Sequence, residues 1–120
     1  MTLKEQIFKL KDIKTETENL IKKKQALKES INIDTLKITQ DWETIINQIR
    51  DVQRKIKNIE KQEEILKSEF EEIQSNLLQL LYELNLSELK FDLGDMLIKV
   101  SNLADQKVSF IHKKENIGVN

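Results

Sequence analysis

Residues 38–84 read ITQDWETIINQIRDVQRKIKNIEKQEEILKSEFEEIQSNLLQLLYEL, and this stretch decides the fold. Steps of four and three residues select apolar side chains along its whole length, with Glu63 as the one polar member. A period averaging 3.5 keeps one seam facing a partner helix, which is typical of a coiled coil. The seam consists of Ile38, Trp42, Ile45, Ile49, Val52, Ile56, Ile59, Glu63, Leu66, Phe70, Ile73, Leu77, Leu80 and Leu84.

A first, shorter helix is predicted over residues 2–30. Thr2 and Glu5 have the spacing of a capping box, in which each side chain bonds the backbone N–H of the other residue. An apolar stripe follows, interrupted by Thr17 and Lys24. Its members are Leu3, Leu10, Ile13, Leu20 and Leu27, with Ile7 and Ile21 beside it.

The connection between the helices is predicted at residues 31–34, where Asn32 and Asp34 favour a turn and Asp34 can cap the next helix. A second helix is predicted over residues 35–85, ending at Asn85, which tolerates the left-handed conformation of a helix terminus. Since the chain contains no proline and the heptad phase slips here, one bent helix with a stutter is an alternative to the turn.

After residue 85 the apolar period changes from 3.5 to two, which indicates β-structure. Gly94 and Asp95 separate two alternating runs and fit the two-residue loop of a type II′ hairpin. A third strand is predicted over residues 107–111, and a frayed tail over residues 112–120. The apolar face of this sheet is predicted to contain Leu89, Phe91, Leu93, Met96, Ile98 and Val100.

The predicted fold is therefore mainly α: a long coiled-coil helical hairpin (residues 1–85), followed by a small antiparallel β-hairpin or three-stranded meander (residues 86–111). If the first helix folds back on the start of the second, it covers the seam only to about Ile59 by its length. The remaining seam would then stay bare, which predicts an interface with a second copy of the chain. The residues of this predicted oligomer interface are Glu63, Leu66, Phe70, Ile73, Leu77, Leu80 and Leu84.

Composition gives no support for catalysis or metal binding. The chain of 120 residues contains no cysteine and one histidine, His112, so neither a nucleophile–base pair nor a set of zinc ligands is visible. We expect no enzyme activity and no cofactor. The glutamates between residues 60 and 72 are interpreted as a solvated helix face, since no Glu-x-x-His pair accompanies them. No segment approaches the length of a membrane span, so we expect a cytoplasmic protein without membrane contact.

A basic stripe on the second helix is the one candidate for nucleic-acid contact. It comprises Arg50, Arg54, Lys57 and Lys61, which share a helix face, and it would be extended by Lys9, Lys11 and Lys14 if the first helix folds back beside it. The alternative is that these residues only solubilise the helix and pair with neighbours such as Asp51 and Glu60.

The junction between helix and hairpin, SNLLQLLYELNLSELKFDLGDMLIKVSNLADQKVSFI (residues 75–111), resembles the C-terminal signature of the siphovirus resistance-associated coiled-coil family. INIDTLKITQDWETI (residues 31–45) is similar to that family's break before its second helix. The resemblance implies a small phage or prophage protein, encoded near replication and recombination functions and linked to interference with phage infection. A looser resemblance is to the Gam host-nuclease inhibitors, coiled-coil dimers with a small sheet that bind DNA ends.

Two functions follow as expectations. The first is a non-enzymatic phage protein that forms a dimer or higher oligomer in the host cytoplasm and binds or modulates a host or phage protein, as an anti-defence inhibitor does. The second is a DNA-binding accessory protein of phage recombination or DNA-end protection. A structural spacer or assembly chaperone of a virion is a third alternative.

Overall fold

The structure is a computed structural model that describes residues 2–31 and 41–113. Two long helices, α1 (Leu3–Ser30) and α2 (Trp42–Glu83), are followed by three strands, β1 (Glu88–Asp92), β2 (Met96–Ser101) and β3 (Val108–His112). The strands form one antiparallel sheet in the order β1-β2-β3. This arrangement confirms the predicted helical hairpin with a C-terminal three-stranded meander. None of the helices in the described ranges is long and apolar enough to cross a membrane.

The predicted capping box closes the start of α1. The backbone N–H of Thr2 donates to Glu5 Oε2, and the backbone N–H of Glu5 donates to Thr2 Oγ1, both at 3.2 Å. These two bonds satisfy donors that have no partner within the helix. The helix therefore begins where the sequence predicts.

The start of α2 differs from the predicted start at residue 35. Asp41 lies outside the helix, and its carbonyl oxygen accepts the first helical hydrogen bond, from the N–H of Ile45 at 3.1 Å. Asp41, and not Asp34, therefore occupies the N-cap position of α2, for which aspartate is among the preferred residues. Most of the predicted turn at 31–34 lies outside the described residues, because it falls within 32–40.

The end of α2 is a Schellman motif, with two hydrogen bonds that close the last turn. Leu86 donates its N–H to the carbonyl oxygen of Leu81 at 2.9 Å, and Asn85 donates to Tyr82 at 3.1 Å. Asn85 has a φ of 55°, the left-handed conformation that the sequence predicts for it. The chain therefore leaves the helix at a defined residue and starts β1 three residues later.

The β1–β2 hairpin has the predicted register. Leu93 donates its N–H to the carbonyl oxygen of Met96 at 2.9 Å across the loop, and Gly94 has a φ of 94°. In a type II′ turn only the first of the two loop residues has a positive φ, and glycine is favoured at that position. Phe91 therefore lies opposite Ile98, which in turn pairs with Phe110 of β3.

The chain folds as two compact units whose boundary does not lie at residue 85. One unit, here called the sheet unit, combines residues 1–10 with residues 70–120, and the other, the helical unit, comprises residues 11–69. The described tail contributes His112 to β3, while residues 114–120 lie outside the described residues.

The best-packed core belongs to the sheet unit. Its inner sheet face is fully buried along β2, and the rings of Phe70 and Phe110 lie with their centroids 6.4 Å apart at a tilt of 40°. Tilted aromatic pairs at this distance are favourable. The largest side chains that are fully buried all lie in this unit: Leu10, Leu81, Ile98, Val100 and Val108.

Candidate interaction surfaces

In the helical unit, an ion pair connects α1 to α2. Lys24 donates from Nζ to Glu63 Oε1 at 2.7 Å, and each side chain keeps 23% of its surface exposed. The hydrogen bond to Glu63 raises the pKa of Lys24 above its ordinary value of 10.5. The polar residue of the α2 seam thus faces the lysine that interrupts the α1 stripe.

This contact sets which part of α2 lies opposite α1. α1 ends at Ser30, less than two turns beyond Lys24. In the helical hairpin, α1 therefore reaches no further toward the start of α2 than about two turns before Glu63. Trp42 precedes Glu63 by about six turns. The start of α2 therefore extends beyond the end of α1, and α1 does not cover the seam at Trp42 as expected. Of the limits of the expected cover, Ile59 is buried and Ile38 lies outside the described residues.

The exposed start of α2 presents an apolar surface, which we call the α2 start patch and define by Trp42, Ile45, Ile46, Ile49 and Val52. Trp42 is 72% exposed, and the other four side chains are only partly covered. They recur at three- and four-residue spacing and so share one helix face. Apart from Ile46, these residues belong to the predicted seam, and they lie beyond the part of α2 that is opposite α1.

Three of the seven residues of the predicted oligomer interface are buried within the single chain. Leu66, Ile73 and Leu77 are 7%, 5% and 2% exposed within the single chain, so they are already core residues. Glu63, Phe70 and Leu80 are partly buried, and Leu84 is 53% exposed beyond the end of α2. The seam from Leu66 to Leu84 is therefore not bare as expected, because the chain's own packing already covers Leu66, Ile73 and Leu77.

The basic stripe of Arg50, Arg54, Lys57 and Lys61 lies on the exposed face of α2. The Asp51 carboxylate pairs with both Arg54 and Lys55, and Lys55 Nζ lies 3.1 Å from Asp51 Oδ2. Both hydrogen bonds lower the pKa of Asp51, and the bond from Arg54 has the larger effect. Within residues 2–31 and 41–113, no ion pair involves Arg50, Lys57 or Lys61.

Lys11 and Lys14 of α1 do not extend this stripe as expected. Lys24 lies beside Glu63, and Lys14 and Lys11 lie about three turns or more back along α1, away from the start of α2. Lys14 pairs instead with Glu18 at 3.2 Å on its own helix. Lys9 belongs to the other compact unit.

The sheet unit contains an open groove that sequence analysis does not predict. It has a volume of about 500 Å³ and is lined by the first turns of α1 and by β1 with the residue after it. We call it the β1 groove and define it by Leu3, Lys4, Ile7, Phe8 and residues 90–93. Phe8 is 44% exposed and lies outside the predicted apolar stripe of α1. Its position as an aromatic residue off the core face of the helix is the only signal for this site in the sequence.

Strand β1 forms one edge of the sheet, and half of its backbone groups point away from β2. The bond between Leu93 and Met96 places residues 89, 91 and 93 in hydrogen-bonded pairs with β2, because such pairs alternate along an antiparallel ladder. The N–H and C=O groups of Lys90 and Asp92 therefore face outward. Among the described residues, none bonds these outward groups.

Charge on the outer face of the sheet is unbalanced near the groove. Lys90 lies directly opposite Lys99, and like charges at facing positions are unfavourable. Lys99 Nζ lies 3.4 Å from Glu88 Oε2, so Glu88 compensates Lys99 rather than Lys90. Within the described part of the chain, neither Lys4 nor Lys90 forms an ion pair.

Asp92, the acidic residue among the described residues that line the groove, already has partners for its carboxylate. It accepts hydrogen bonds from Lys113 Nζ at 2.6 Å and from the backbone N–H of Gly94 at 2.9 Å. Both bonds lower the pKa of Asp92 below its ordinary value of 3.8, and the bond from Lys113 has the larger effect. The β1 groove is therefore apolar inside and positively charged at its rim.

His112 lies at the end of β3 and is exposed. Within residues 2–31 and 41–113, no three histidine, aspartate or glutamate residues are grouped so as to hold a metal ion. Comparisons with protein-family models, with curated proteins and with solved structures found no match to this chain.

Proposed function

We propose that this protein is a non-enzymatic interaction protein of a phage or prophage, which self-associates and binds a host or phage protein. The α2 start patch carries the proposal. A continuous apolar helix face with a tryptophan 72% exposed at its end is typical of a surface that another molecule covers. The resemblance of residues 75–111 to the siphovirus resistance-associated family supports the phage origin.

A second copy of the chain is the occupant that best fits the α2 start patch. Four of its residues, Trp42, Ile45, Ile49 and Val52, continue the 3.5 period of the α2 seam, so two copies can pair their equivalent faces in a two-stranded coiled coil. The flanking charges are compatible with a parallel pair, because Lys55 of one copy faces Glu60 of the other. Lys55 is 58% exposed in its pair with Asp51 and is free to exchange partners.

Light scattering coupled to size exclusion tests self-association. We expect a dimer or higher oligomer, and we expect Ile49→Glu to shift it to monomer because a charge in the seam would lose its hydration. Ile65→Glu is the matched control, since Ile65 is 60% exposed outside the patch and should leave the mass unchanged. A monomeric wild-type protein at high concentration would contradict the proposal.

Trp42 supplies an independent measurement, because it is the only tryptophan of the chain. Its emission should shift to shorter wavelength as concentration rises and the indole becomes buried between copies. The Ile49→Glu variant should keep the emission of an exposed tryptophan at every concentration. Emission that does not depend on concentration in the wild type would place the interface elsewhere.

DNA binding is the second candidate, favoured by the exposed face that Arg50, Lys57 and Lys61 share. Affinity for duplex DNA should then fall steeply with salt concentration. Arg50→Glu combined with Lys57→Glu should abolish binding, while Lys67→Glu, at another exposed lysine of α2, should reduce it only slightly. No binding at low salt would exclude this candidate.

A further inference from the structure

We propose that the β1 groove binds an extended acidic peptide segment of a partner protein, which adds to the sheet as a fourth strand beside β1. The proposal rests on the proposed function in taking the protein to bind another protein, and it names the chemistry of that partner. Three observations carry it: an unpaired strand edge, an apolar groove beside that edge, and lysines at its rim.

The backbone of β1 offers the hydrogen bonds for such a strand. The N–H and C=O groups of Lys90 and Asp92 point away from β2 and have no bond from the described residues. An added strand pairs with these alternate groups, as in other cases of β-strand addition. Since β1 has five residues, the paired segment spans about 16 Å.

The groove selects apolar side chains at every second position of the added strand. Successive side chains of a strand point to opposite faces, so those on the inner face enter the space lined by Ile7, Phe8 and Leu3. A volume of about 500 Å³ lies within the range of small-ligand sites and accommodates a few aliphatic side chains. Phe8, 44% exposed, becomes buried when they enter.

The charges select acidic side chains at the other positions. A residue opposite Lys90 on the added strand lies on the outer face, where Lys90 already faces Lys99. A carboxylate there compensates the charge of Lys90 on the side away from Lys99, and a second one reaches Lys4 at the groove rim. Asp92 does not repel such a peptide strongly, because Lys113 and the Gly94 N–H occupy its carboxylate. The partner segment therefore alternates acidic and apolar residues.

The direct test uses a fluorescently labelled synthetic peptide, Glu-Val-Glu-Ile-Glu-Val-Glu, titrated with the full chain and followed by anisotropy. We expect saturable binding, at least tenfold weaker for the same peptide with lysine in place of glutamate. A peptide with proline in place of the central isoleucine should also bind at least tenfold more weakly. Equal binding of the three peptides, or none, would overturn the proposal.

Variants locate the site on the protein. Lys90→Glu and Phe8→Ser should each weaken peptide binding at least tenfold, while Lys67→Glu, an exposed lysine outside the groove, should change it less than twofold. Thermal unfolding of each variant shows whether it is folded. Equal effects of Lys90→Glu and Lys67→Glu would show nonspecific attraction by charge and overturn the proposal.

Amide hydrogen exchange distinguishes strand addition from other binding modes. Peptide should slow exchange at the Lys90 and Asp92 amides, while the Leu89 and Phe91 amides are already bonded to β2. If these two outward amides are protected without peptide and more so at higher protein concentration, a second copy occupies the edge and the proposal fails. The Ile49→Glu variant should bind peptide normally, which separates this result from that of self-association.

Discussion

Lys24 and Glu63, which are 39 residues apart in sequence, lie with Nζ and Oε1 only 2.7 Å apart. Lys24 interrupts the apolar stripe of α1, as Thr17 also does, and Glu63 is the one polar residue of the α2 seam. Their contact satisfies both polar groups and allows one main alignment of the two helices, since sliding either helix by a turn would place each charge against apolar side chains. Polar residues within a seam can specify register in this way.

Reversing one charge of this pair should destabilise the protein. Lys24→Glu places a carboxylate beside Glu63 and near Glu60, whose charge also acts on Lys24. We expect the melting temperature to fall by roughly several degrees, as for other changes of this size in a small domain. Lys23→Glu, at an exposed neighbour, should leave it nearly unchanged.

The exchanged pair, Lys24→Glu with Glu63→Lys, should recover most of the lost thermal stability. Recovery should be incomplete because Glu60 would then repel the new glutamate. If the double variant melts at the lower temperature expected from adding the two single effects, the two side chains are not coupled.

The pH dependence of stability should include a contribution from Asp92. Its pKa is lower in the folded protein than in the unfolded chain, so its stabilisation is present above about 3.8 and is lost as the pH falls through the folded value. Urea midpoints measured over the acid range should therefore decrease more steeply for wild type than for Asp92→Asn. Asp105→Asn is the control and should follow the wild-type curve.

The packing at the end of α2 predicts different costs for two leucines. Leu81 is fully buried, so Leu81→Ala should lower the free energy of unfolding by about 2–5 kcal/mol. Leu84, which the 3.5-residue period assigns to the seam, is 53% exposed. Leu84→Ala should therefore change the free energy of unfolding by less than about 0.5 kcal/mol. Urea denaturation measures both, and similar costs would mean that the seam continues unchanged to Leu84.

At Asn85, the left-handed residue at the end of α2, substitution by glycine and by alanine should have different effects on stability. Asn85→Ala should destabilise the protein by about 1 kcal/mol, because a β-carbon without a compensating polar group disfavours this conformation. Asn85→Gly should be neutral or slightly stabilising, since glycine is the preferred residue at this position of a Schellman motif. The two variants are compared by urea denaturation, and equal stabilities would contradict a left-handed Asn85.

Local features were predictable from the sequence, because the residues that determine them are neighbours in the chain. The capping box at Thr2, the helix end at Asn85 and the turn at Gly94 each depend on a few consecutive residues. The hairpin register then follows from the turn. Fold class and strand pairing were therefore accessible without any knowledge of tertiary contacts.

The alignment of the two helices was not predictable from periodicity alone. A seam that repeats every 3.5 residues permits several alignments, and helix lengths suggested that α1 covers the start of α2. The complementary charges of Lys24 and Glu63 were the available signal for the observed alignment. In the last turns of α2 the fully buried position is Leu81 and not Leu80, which fits the 3.6-residue period of an α-helix better than a strict 3.5-residue repeat.

The β1 groove could not be predicted, because it depends on which sheet edge lies near the first turns of α1. The sequence placed Lys90 on a strand and Phe8 on a helix, but it gave no reason to bring them to one site. Only the joining of residues 1–10 with residues 70–120 in one compact unit does so.

That discontinuous unit has a consequence for the order of folding during synthesis. Ile7 and Leu10 are made before the residues from position 70 onward that complete their compact unit. Until those residues are made, the two side chains lack the partners that bury them in the folded chain. Closing the chain over that distance also carries a larger entropic cost than forming the hairpin. A pulse-labelling experiment on stalled nascent chains should therefore find Leu10 protected only after β2 has emerged.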